Sequence, residues 1–469
     1  MDAALPNWMM LERFVFRRDD PASFPGDEAG SFTVSSSTSQ GDPFRVAFLI
    51  TKPPAISRLY VQWPGGLDPE IGISCDLVTA HRDLVLFRLI SNPVTLEGSP
   101  LPHYPQDFFI CKASSSPSPL LLRRIPMCVE PVVVRVKKGV ELTMPRSFYT
   151  HTLGLLGRGE DDFAMAQLDI FTHGKSKPTG ELCVLRSRFS NDYQDCKWEV
   201  KQKLEIHYDE KELVDLLYWK ADQVIPFKHY LCWANYYRGG VLFCNVFEEI
   251  PKLTYLRLPV DKHPQNSSQH PFFELRRSVC VTEAGLKLID ISRQDGELLG
   301  PMEPGTGFTI TCYTLNTSES VMKWDFDFSI TSKDLWDCNS PALLPRCVLM
   351  SPLVSMDRPN VVHFLCVEYV DEYGNEFGKV SSVSIDMSTK AVDSTLPYID
   401  GDTDLSGKDV DMVEYRADLL QSFLPSEFPK FLNLLTRYFH LIYSLLHCAY
   451  TACKLFIILG LCSELLLHS

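Results

Sequence analysis

The sequence lacks the short motifs that mark common catalytic centres. No GxSxG, HExxH or HxE…PCxxC pattern occurs along the 469 residues, and each of these patterns places a nucleophile or a metal ligand at a spacing that its chemistry requires. The histidines are dispersed, without metal-ligand spacing to a cysteine or a carboxylate. We therefore predict that the chain has no catalytic residues and no metal-binding residues, and that it is not an enzyme.

Two segments resemble ligand-binding loops but depart from them at the residues that matter. HGKS at 173–176 resembles the end of a phosphate-binding loop, yet Asp169 stands where a glycine should let backbone N–H groups approach the phosphate. DGDTDLSGKDVD at 400–411 has the spaced carboxylates of a calcium loop, but Leu405 replaces the turn glycine and Asp411 replaces the bidentate glutamate. The sequence thus predicts no cofactor.

The chain also has little concentrated positive charge. It carries 45 basic and 59 acidic side chains, for a net charge of −14, which opposes non-specific binding to nucleic acid. The basic residues occur as separate pairs, at Arg123-Arg124, Lys137-Lys138 and Arg276-Arg277, and such pairs are ordinarily solvated. We predict no nucleic-acid partner.

Features of secreted proteins are missing as well. Met1 to Phe14 lacks the apolar core of a signal peptide, and the fifteen cysteines include no CxxC pair. Several cysteines lie in apolar runs typical of strands, where cysteine behaves as a small buried hydrophobe; these are Cys111, Cys183, Cys244, Cys280, Cys312 and Cys366. We predict that the chain has no disulfides, that these six cysteines are buried and unpaired, and that the protein is located in the reducing cytoplasm or nucleus.

What the sequence does have is a long series of short strand-like segments. From about residue 44 they are five to nine residues long and are separated by Pro, Gly and Asp. A short helix is predicted near 209–219, and later strand pairs recur at roughly forty-residue intervals, as in the blades of a β-propeller. We predict an all-β, propeller-like body of about six or seven blades, with short α-helices and a C-terminal helical tail. Two packed β domains are the alternative.

The predicted domain organisation follows from composition. It comprises an N-terminal arm at 1–42, the propeller-like body at 43–400, an acidic linker at 401–411, amphipathic helices at 412–436 and a hydrophobic tail at 437–469.

The stretch WANYYRGGVLFCNVFEEIPKLTYLRLP, residues 233–259, predicts one hairpin of a blade. Glycines at 239 and 240 permit a tight corner. Val241–Val246 should pair antiparallel with Leu253–Leu258 across a turn at Glu248–Pro251, with Phe243 buried. Aromatic residues at 233 and 237 are predicted to pack in the core or between blades.

The same stretch carries a family resemblance. With MKWDFDF, DLW and SPLVSMDRPNVVHFLCVE further on, it resembles the plant family called domain of unknown function 1618. The likeness extends over about 8–432, including SRLYVQWPGG, HRDLVLFRL and LPSEFPKFL, and is most specific at 233–370. More distantly, it resembles the propeller-like regions of plant F-box-associated proteins, although no F-box helix pattern precedes the first strand. The resemblance implies a plant protein with no assigned activity and no catalytic residues to carry over.

The C-terminal segment Tyr438–Leu461 is long and apolar enough to span a bilayer, with Lys454 as its one formal charge. One interpretation is a membrane anchor that leaves the body in the cytoplasm, which is the alternative to a protein located in the cytoplasm or nucleus without an anchor. The alternatives are a helix packed on the body or on a partner, or an extension outside the family pattern.

The sequence leaves two functional hypotheses. We predict a non-catalytic scaffold whose loops bind an unknown protein partner. The alternative is an enzyme with its active site in the central mouth of the propeller. A scaffold should collect aromatic side chains and mixed charges there, whereas an enzyme should collect His, Asp or Glu side chains with shifted pKa values.

Overall fold

The computed structural model describes most of the chain. The described residues are 5–27, 31–67, 75–95, 104–114, 119–130, 132–136, 140–144, 146–172, 177–190, 196–260, 273–297, 300–317, 322–369, 377–400 and 423–432.

Within these ranges the chain forms six units of four strands, which we call blades 1 to 6. Blades 1 and 2 contain β1 (Met9–Arg17), β2 (Ser31–Ser37), β3 (Pro43–Leu49), β4 (Ile56–Gln62), β5 (Cys75–His81), β6 (Leu84–Ile90), β7 (Gln106–Ala113) and β8 (Leu120–Ile125). A separate hairpin follows, made of β9 (Val132–Val136) and β10 (Val140–Met144). Blades 3 and 4 contain β11 (Leu153–Arg158), β12 (Asp162–Phe171), β13 (Thr179–Arg188), β14 (Trp198–His207), β15 (Gln223–Phe227), β16 (Tyr230–Asn235), β17 (Gly240–Cys244) and β18 (Leu253–Arg257).

Blades 5 and 6 complete the series. They contain β19 (Arg277–Thr282), β20 (Gly285–Arg293), β21 (Phe308–Asn316), β22 (Lys323–Thr331), β23 (Leu349–Val354), β24 (Val361–Tyr369), β25 (Phe377–Asp386) and β26 (Ala391–Asp400), and a last strand, β27 (Leu424–Ser426), pairs with β1. The described helices are α1 (Leu213–Leu217), α2 (Ser332–Cys338), short 3₁₀ turns at Pro25–Asp27, Glu210–Glu212 and Phe273–Leu275, and one turn after β27.

Blades 2 to 6 are antiparallel meanders in which each strand pairs with the next along the chain. Their first strands, β5, β11, β15, β19 and β23, lie side by side in chain order. Two links join neighbouring blades into larger sheets: β1 touches β5 at Phe14 and Asp76, and β14 runs parallel to β18 from Ile206 and Leu253. The first strands therefore line the axis of the body, as in a propeller.

The hydrophobic core is divided among the contacts between successive blades. Separate buried clusters lie between blades 1 and 2, 2 and 3, 3 and 4, and 4 and 5. The largest cluster contains side chains from blades 5, 6 and 1 together, including Phe308, Phe364 and Phe16. Blade 6 is thus packed against blade 1, and the ring is closed. The predicted propeller-like, all-β body is confirmed, with six blades in the described residues.

Closure also involves the two ends of the described chain. β27 pairs antiparallel with β1, Met9 opposite Ser426 and Leu11 opposite Leu424. Just after β27, Phe428 is fully buried and its ring lies 5.2 Å from that of Phe48 in β3. The ring is therefore fastened where the N-terminal and C-terminal strands share one sheet.

Two predicted boundaries differ from the structure. The predicted arm at 1–42 contains β1 and β2, which are strands of blade 1. β2 was not predicted because it is rich in serine and most of its side chains are neither buried nor exposed. The helices predicted at 412–436 were expected to be divided near Pro425, and the structure has the strand β27 at this division, because Pro425 disfavours a helix there. The forty-residue spacing was too short, since the first strands of blades 2 to 6 begin at Cys75, Leu153, Gln223, Arg277 and Leu349.

The predicted hairpin is confirmed. Cys244 pairs with Leu253 and Gly240 with Arg257 in antiparallel register, and Phe243 is buried. Gly239 adopts φ +71°, which is the left-handed conformation that the corner requires. The short helix predicted near 209–219 is present as the 3₁₀ turn and α1.

The prediction that the chain has no disulfides is wrong, and so is the prediction for one of the six strand cysteines. Cys366 forms a disulfide with Cys347, with Cα atoms 6.5 Å apart. The register explains the pairing, because Cys366 lies opposite Leu349, two residues after Cys347. Cys111, Cys183, Cys244, Cys280 and Cys312 are buried and form no disulfide, as predicted.

The prediction for the tail concerns residues outside those described, as do those for the acidic linker at 401–411 and for 173–176. In the part of the chain that is described, no helix is long and apolar enough to cross a membrane.

Candidate functional site

The mouth of the ring is the end at which the inner strands β11, β15 and β19 begin. Here the segments before β11 and β15 border a recess of about 460 Å³. Its walls carry the aromatic side chains of Tyr149, Phe171 and Trp219, together with His151, Asp169 and Lys220. Tyr149 and Lys220 are exposed, and the other four are half-buried or exposed only in part. This recess is our candidate functional site.

The wall before β11 is a turn held from two sides. The side-chain oxygen of Gln167 in β12 accepts from the backbone N–H of Tyr149 at 3.2 Å and from the hydroxyl of Thr152 at 3.0 Å. From blade 4, the Trp233 indole N–H donates to the Thr152 carbonyl at 2.9 Å. Trp233 is fully buried, which confirms the prediction that it packs between blades. Blades 3 and 4 thus fix the position of Tyr149 and His151 together.

The opposite wall depends on the NYYRGG loop between β16 and β17. The Asn235 amide donates to the Lys220 carbonyl at 2.7 Å, and the Asp222 carboxylate accepts from the Tyr236 backbone N–H at 2.6 Å. Asn235 also accepts from the Arg238 backbone N–H. Each side chain supplies the partner that an irregular backbone segment needs. The loop therefore holds residues 220–222, of which Lys220 and Ala221 border the recess.

Tyr236 extends this arrangement to blade 5. Its hydroxyl donates to the Gln223 side-chain oxygen at 2.6 Å and accepts from the Val279 backbone N–H at 2.9 Å. The Arg277 guanidinium donates to the Tyr236 carbonyl at 2.8 Å. Tyr237 is buried beside Phe273, as predicted. The family-like stretch therefore joins blades 4 and 5 and positions one side of the mouth.

Charged groups of both signs face one another at the mouth. Burial raises the pKa of Asp222 to about 7, and it also raises that of Glu274. Burial lowers the pKa of Arg13 in β1 to about 10, so Arg13 remains a cation at neutral pH. Burial and the nearby cations Lys220 and Arg13 lower the pKa of His151. Since burial partly neutralises the Asp222 carboxylate near pH 7, the mouth is more positive than a formal count of charges suggests.

A second, smaller cavity of about 100 Å³ lies on the axis toward the other end, where β5, β15, β19, β23 and β27 terminate. Arg82 and Lys228 border it, and both adopt positive φ in tight hairpin turns. His81 also borders it, accepts from the Gly157 backbone N–H at 2.9 Å, and has its pKa lowered by burial to about 4. This cavity is lined by the fastening strand β27 and belongs to the closure of the ring.

The chain was predicted to have no catalytic, metal-binding or cofactor-binding residues, and nothing in the structure tests that prediction. The described residues contain no group of three or more His, Cys, Asp or Glu side chains able to hold a metal ion. His363, which was interpreted as a strand histidine, is buried in β24 and hydrogen-bonds Ser384.

Sequence reasoning missed the side chains that build the recess, above all Asp222, Gln167 and Asn235. Gln167 sits inside an ordinary strand pattern, and nothing in its neighbours marks it. A signal was available for Asn235, because asparagine at the start of a turn often bonds nearby backbone, and Gly239 and Gly240 follow it closely.

Comparison with known proteins gives a family and distant structural neighbours. Residues 233–363 match the profile of a family described as protein of unknown function (DUF1618). No curated protein matches the chain. Among solved structures, it is similar to a candidate 6-phosphogluconolactonase from Bacteroides fragilis (9% identity, TM-score 0.33, 80% of this chain and 83% of the other). It is also similar to an ulvan lyase of a polysaccharide lyase family (11% identity, TM-score 0.30, 84% and 86%). Similarity at this level carries no argument about activity.

Proposed function

We propose that this protein is a non-catalytic protein-interaction scaffold. Its residues 233–363 match the DUF1618 family. The observation that supports it is the composition of the recess, where an exposed tyrosine, two further aromatic side chains and an exposed lysine surround a preformed hollow. Aromatic side chains beside cations are typical of surfaces that bind protein segments. The function is the capture of a partner at the mouth of the propeller.

Charge indicates the chemistry of the partner. The chain carries a net charge of −14, yet Lys220 and Arg13 bring positive charge to the mouth, where burial raises the pKa of Asp222 and Glu274. An acidic segment is repelled by the rest of the surface and attracted here. We infer that the partner presents an acidic peptide segment with an aromatic or branched apolar side chain, which fills the space between Tyr149 and Trp219.

The alternative is an enzyme with its active site in the same mouth. The raised pKa of Asp222, about 7, favours it, since a base of that pKa is suited to proton transfer near neutral pH. The hydrogen bonds of Asp222 indicate a structural role instead. Its carboxylate receives the Tyr236 backbone N–H at 2.6 Å, and the neighbouring Thr152 hydroxyl is bonded to Gln167. We therefore retain the scaffold as the proposed function.

The first experiment selects peptides from a random display library on the immobilised full chain. We expect enrichment of acidic peptides that contain an aromatic or branched apolar residue. Lys220→Glu should weaken their binding by roughly tenfold or more, because it places like charge against the ligand. The matched control is Lys211→Glu, the same change at an exposed lysine paired with Asp209, which should bind as the unaltered chain does. Peptides that bind Lys220→Glu and Lys211→Glu equally well would contradict the proposed site.

The place of action is a separate proposal. We propose that the body works in the cytoplasm or nucleus, and the alternative is a C-terminal anchor through 438–461. Fusion of residues 433–469 to a fluorescent protein, followed by carbonate extraction, separates the two. Retention of fluorescence in the membrane pellet is expected for the anchor. Complete release is expected if the segment packs against protein instead.

A further inference from the structure

Two cysteines from different parts of the chain lie close together between blades 2 and 3. Cys128 is in the segment that follows β8, and Cys183 is in the middle of β13. Their sulfur atoms are 3.7 Å apart, and neither forms a disulfide. A disulfide needs a sulfur separation of about 2.05 Å, so a movement of less than 2 Å would join them.

The two thiols differ in access. Cys128 is half-buried between Met127 and Val129, which are exposed. Cys183 is fully buried on the face of blade 3 that packs against blade 2. A small oxidant can therefore reach the Cys128 sulfur from solvent. The buried Cys183 sulfur is accessible only to the Cys128 sulfur beside it.

Arg146 provides the charge that such a pair needs. Its side chain is almost completely buried, its Nη2 bonds the Glu181 carboxylate at 2.6 Å, and its Nη1 lies 4.0 Å from the Asp169 carboxylate. Its Nε–H has no hydrogen-bond partner among the described residues. A buried donor without a partner is costly, and the positive charge of the same guanidinium favours the thiolate form of Cys128 by lowering its pKa.

The same surroundings separate the ionisation of the two thiols. The hydrogen bond from Cys183, with help from the Arg146 guanidinium, lowers the pKa of Cys128 to about 7. The neighbouring sulfur and burial raise the pKa of Cys183. At neutral pH the accessible sulfur is thus partly thiolate, which is the reactive form, while the buried sulfur keeps its proton.

We propose that Cys128 and Cys183 form a reversible oxidation site that takes a hydroperoxide as its oxidant. The Cys128 thiolate attacks one peroxide oxygen, the O–O bond breaks, and the sulfenic acid forms with release of hydroxide, which is protonated to water. The Cys183 thiol then attacks the Cys128 sulfur, the S–O bond breaks, and the S–S bond forms with release of a second water. Two thiols and one hydrogen peroxide give one disulfide and two waters. This site does not depend on the proposed peptide-binding function.

The test oxidises the full chain with hydrogen peroxide, alkylates the remaining thiols and maps the peptides by mass spectrometry without reduction. We expect a linked Cys128–Cys183 peptide that disappears on treatment with dithiothreitol. Cys183→Ser should instead accumulate a sulfenic acid on Cys128 that dimedone traps. Cys338, which is exposed on α2, is the internal control and should react with peroxide at least tenfold more slowly than Cys128.

Substitutions of Arg146 distinguish an electrostatic effect on Cys128 from a purely structural one. Arg146→Gln should shift the pH profile of Cys128 alkylation to higher pH, and Arg146→Lys should restore most of the original profile. The proposal is overturned if the unaltered chain gives no linked peptide while Cys128 reacts no faster than Cys338. It is also overturned if Arg146→Gln leaves the alkylation profile unchanged in a chain whose unfolding midpoint is that of the unaltered protein.

Discussion

Phe428→Ala is expected to lower the free energy of unfolding by about 3–5 kcal/mol, which is the usual cost of truncating a buried phenylalanine. Phe428 is fully buried, contacts the ring of Phe48 at 5.2 Å, and follows the strand that joins the two ends of the described chain. Its loss would leave a cavity and loosen β27 from β1. Guanidinium unfolding followed by tryptophan fluorescence measures the effect.

The matched control for this change is Phe326→Ala. Phe326 lies in the outer strand β22 and is 61% exposed, so the same truncation should cost less than about 1 kcal/mol. Equal unfolding midpoints for the Phe428→Ala and Phe326→Ala variants would show that the C-terminal segment does not fasten the ring.

Asp222→Asn is expected to change how stability depends on pH. Burial raises the folded-state pKa of Asp222 from its ordinary 3.8 to about 7. A raised pKa means that the folded state favours the protonated carboxyl, so its contribution is fully present below about pH 4 and is lost as pH rises to about 7. Asparagine can still accept the Tyr236 N–H and has no charge to bury. Between pH 4 and pH 8 the variant should therefore gain up to about 4 kcal/mol relative to the unaltered chain.

A carboxylate with the opposite shift provides the control. Hydrogen bonds from Thr331 lower the pKa of Asp334 to about 2, so its contribution is present above about pH 4 and is lost as pH falls toward 2. Asp334→Asn should thus be less stable than the unaltered chain at neutral pH, and the difference should shrink in acid. If the stabilities of Asp222→Asn and the unaltered chain change in parallel between pH 4 and pH 8, the Asp222 carboxyl does not titrate in this range. That result would contradict a pKa raised by burial.

The sequence was most informative about properties that depend on local residue patterns, such as strand formation and burial. The alternation in Leu253–Leu258 and the apolar run before it were sufficient to place a hairpin and to bury Phe243, because strand periodicity and side-chain burial are local properties. The blade interval was harder to read, since loops of different lengths separate the strands. The strand at 31–37 was missed because its side chains are neither clearly buried nor clearly exposed, so no alternation marks it.

The recess and the paired thiols depend on contacts that no local pattern contains. Thr152 and Trp233 are bonded across two blades, 81 residues apart in the chain. Cys128 and Cys183 meet across 55 residues, and Cys347 and Cys366 meet because two strands align in one register. A cysteine in an apolar run predicts burial, but it says nothing about which other cysteine is buried beside it.

The central claim is that the mouth between blades 3 and 4 binds an acidic protein segment. Hydrogen–deuterium exchange of the full chain, with and without a selected peptide, tests it most directly. Added peptide is expected to slow exchange at Tyr149, His151 and Thr152 and in residues 219–221, which border the recess, and to leave the turns at Arg82 and Lys228 at the opposite end unchanged. Slower exchange at that opposite end, with none at the recess, would contradict it.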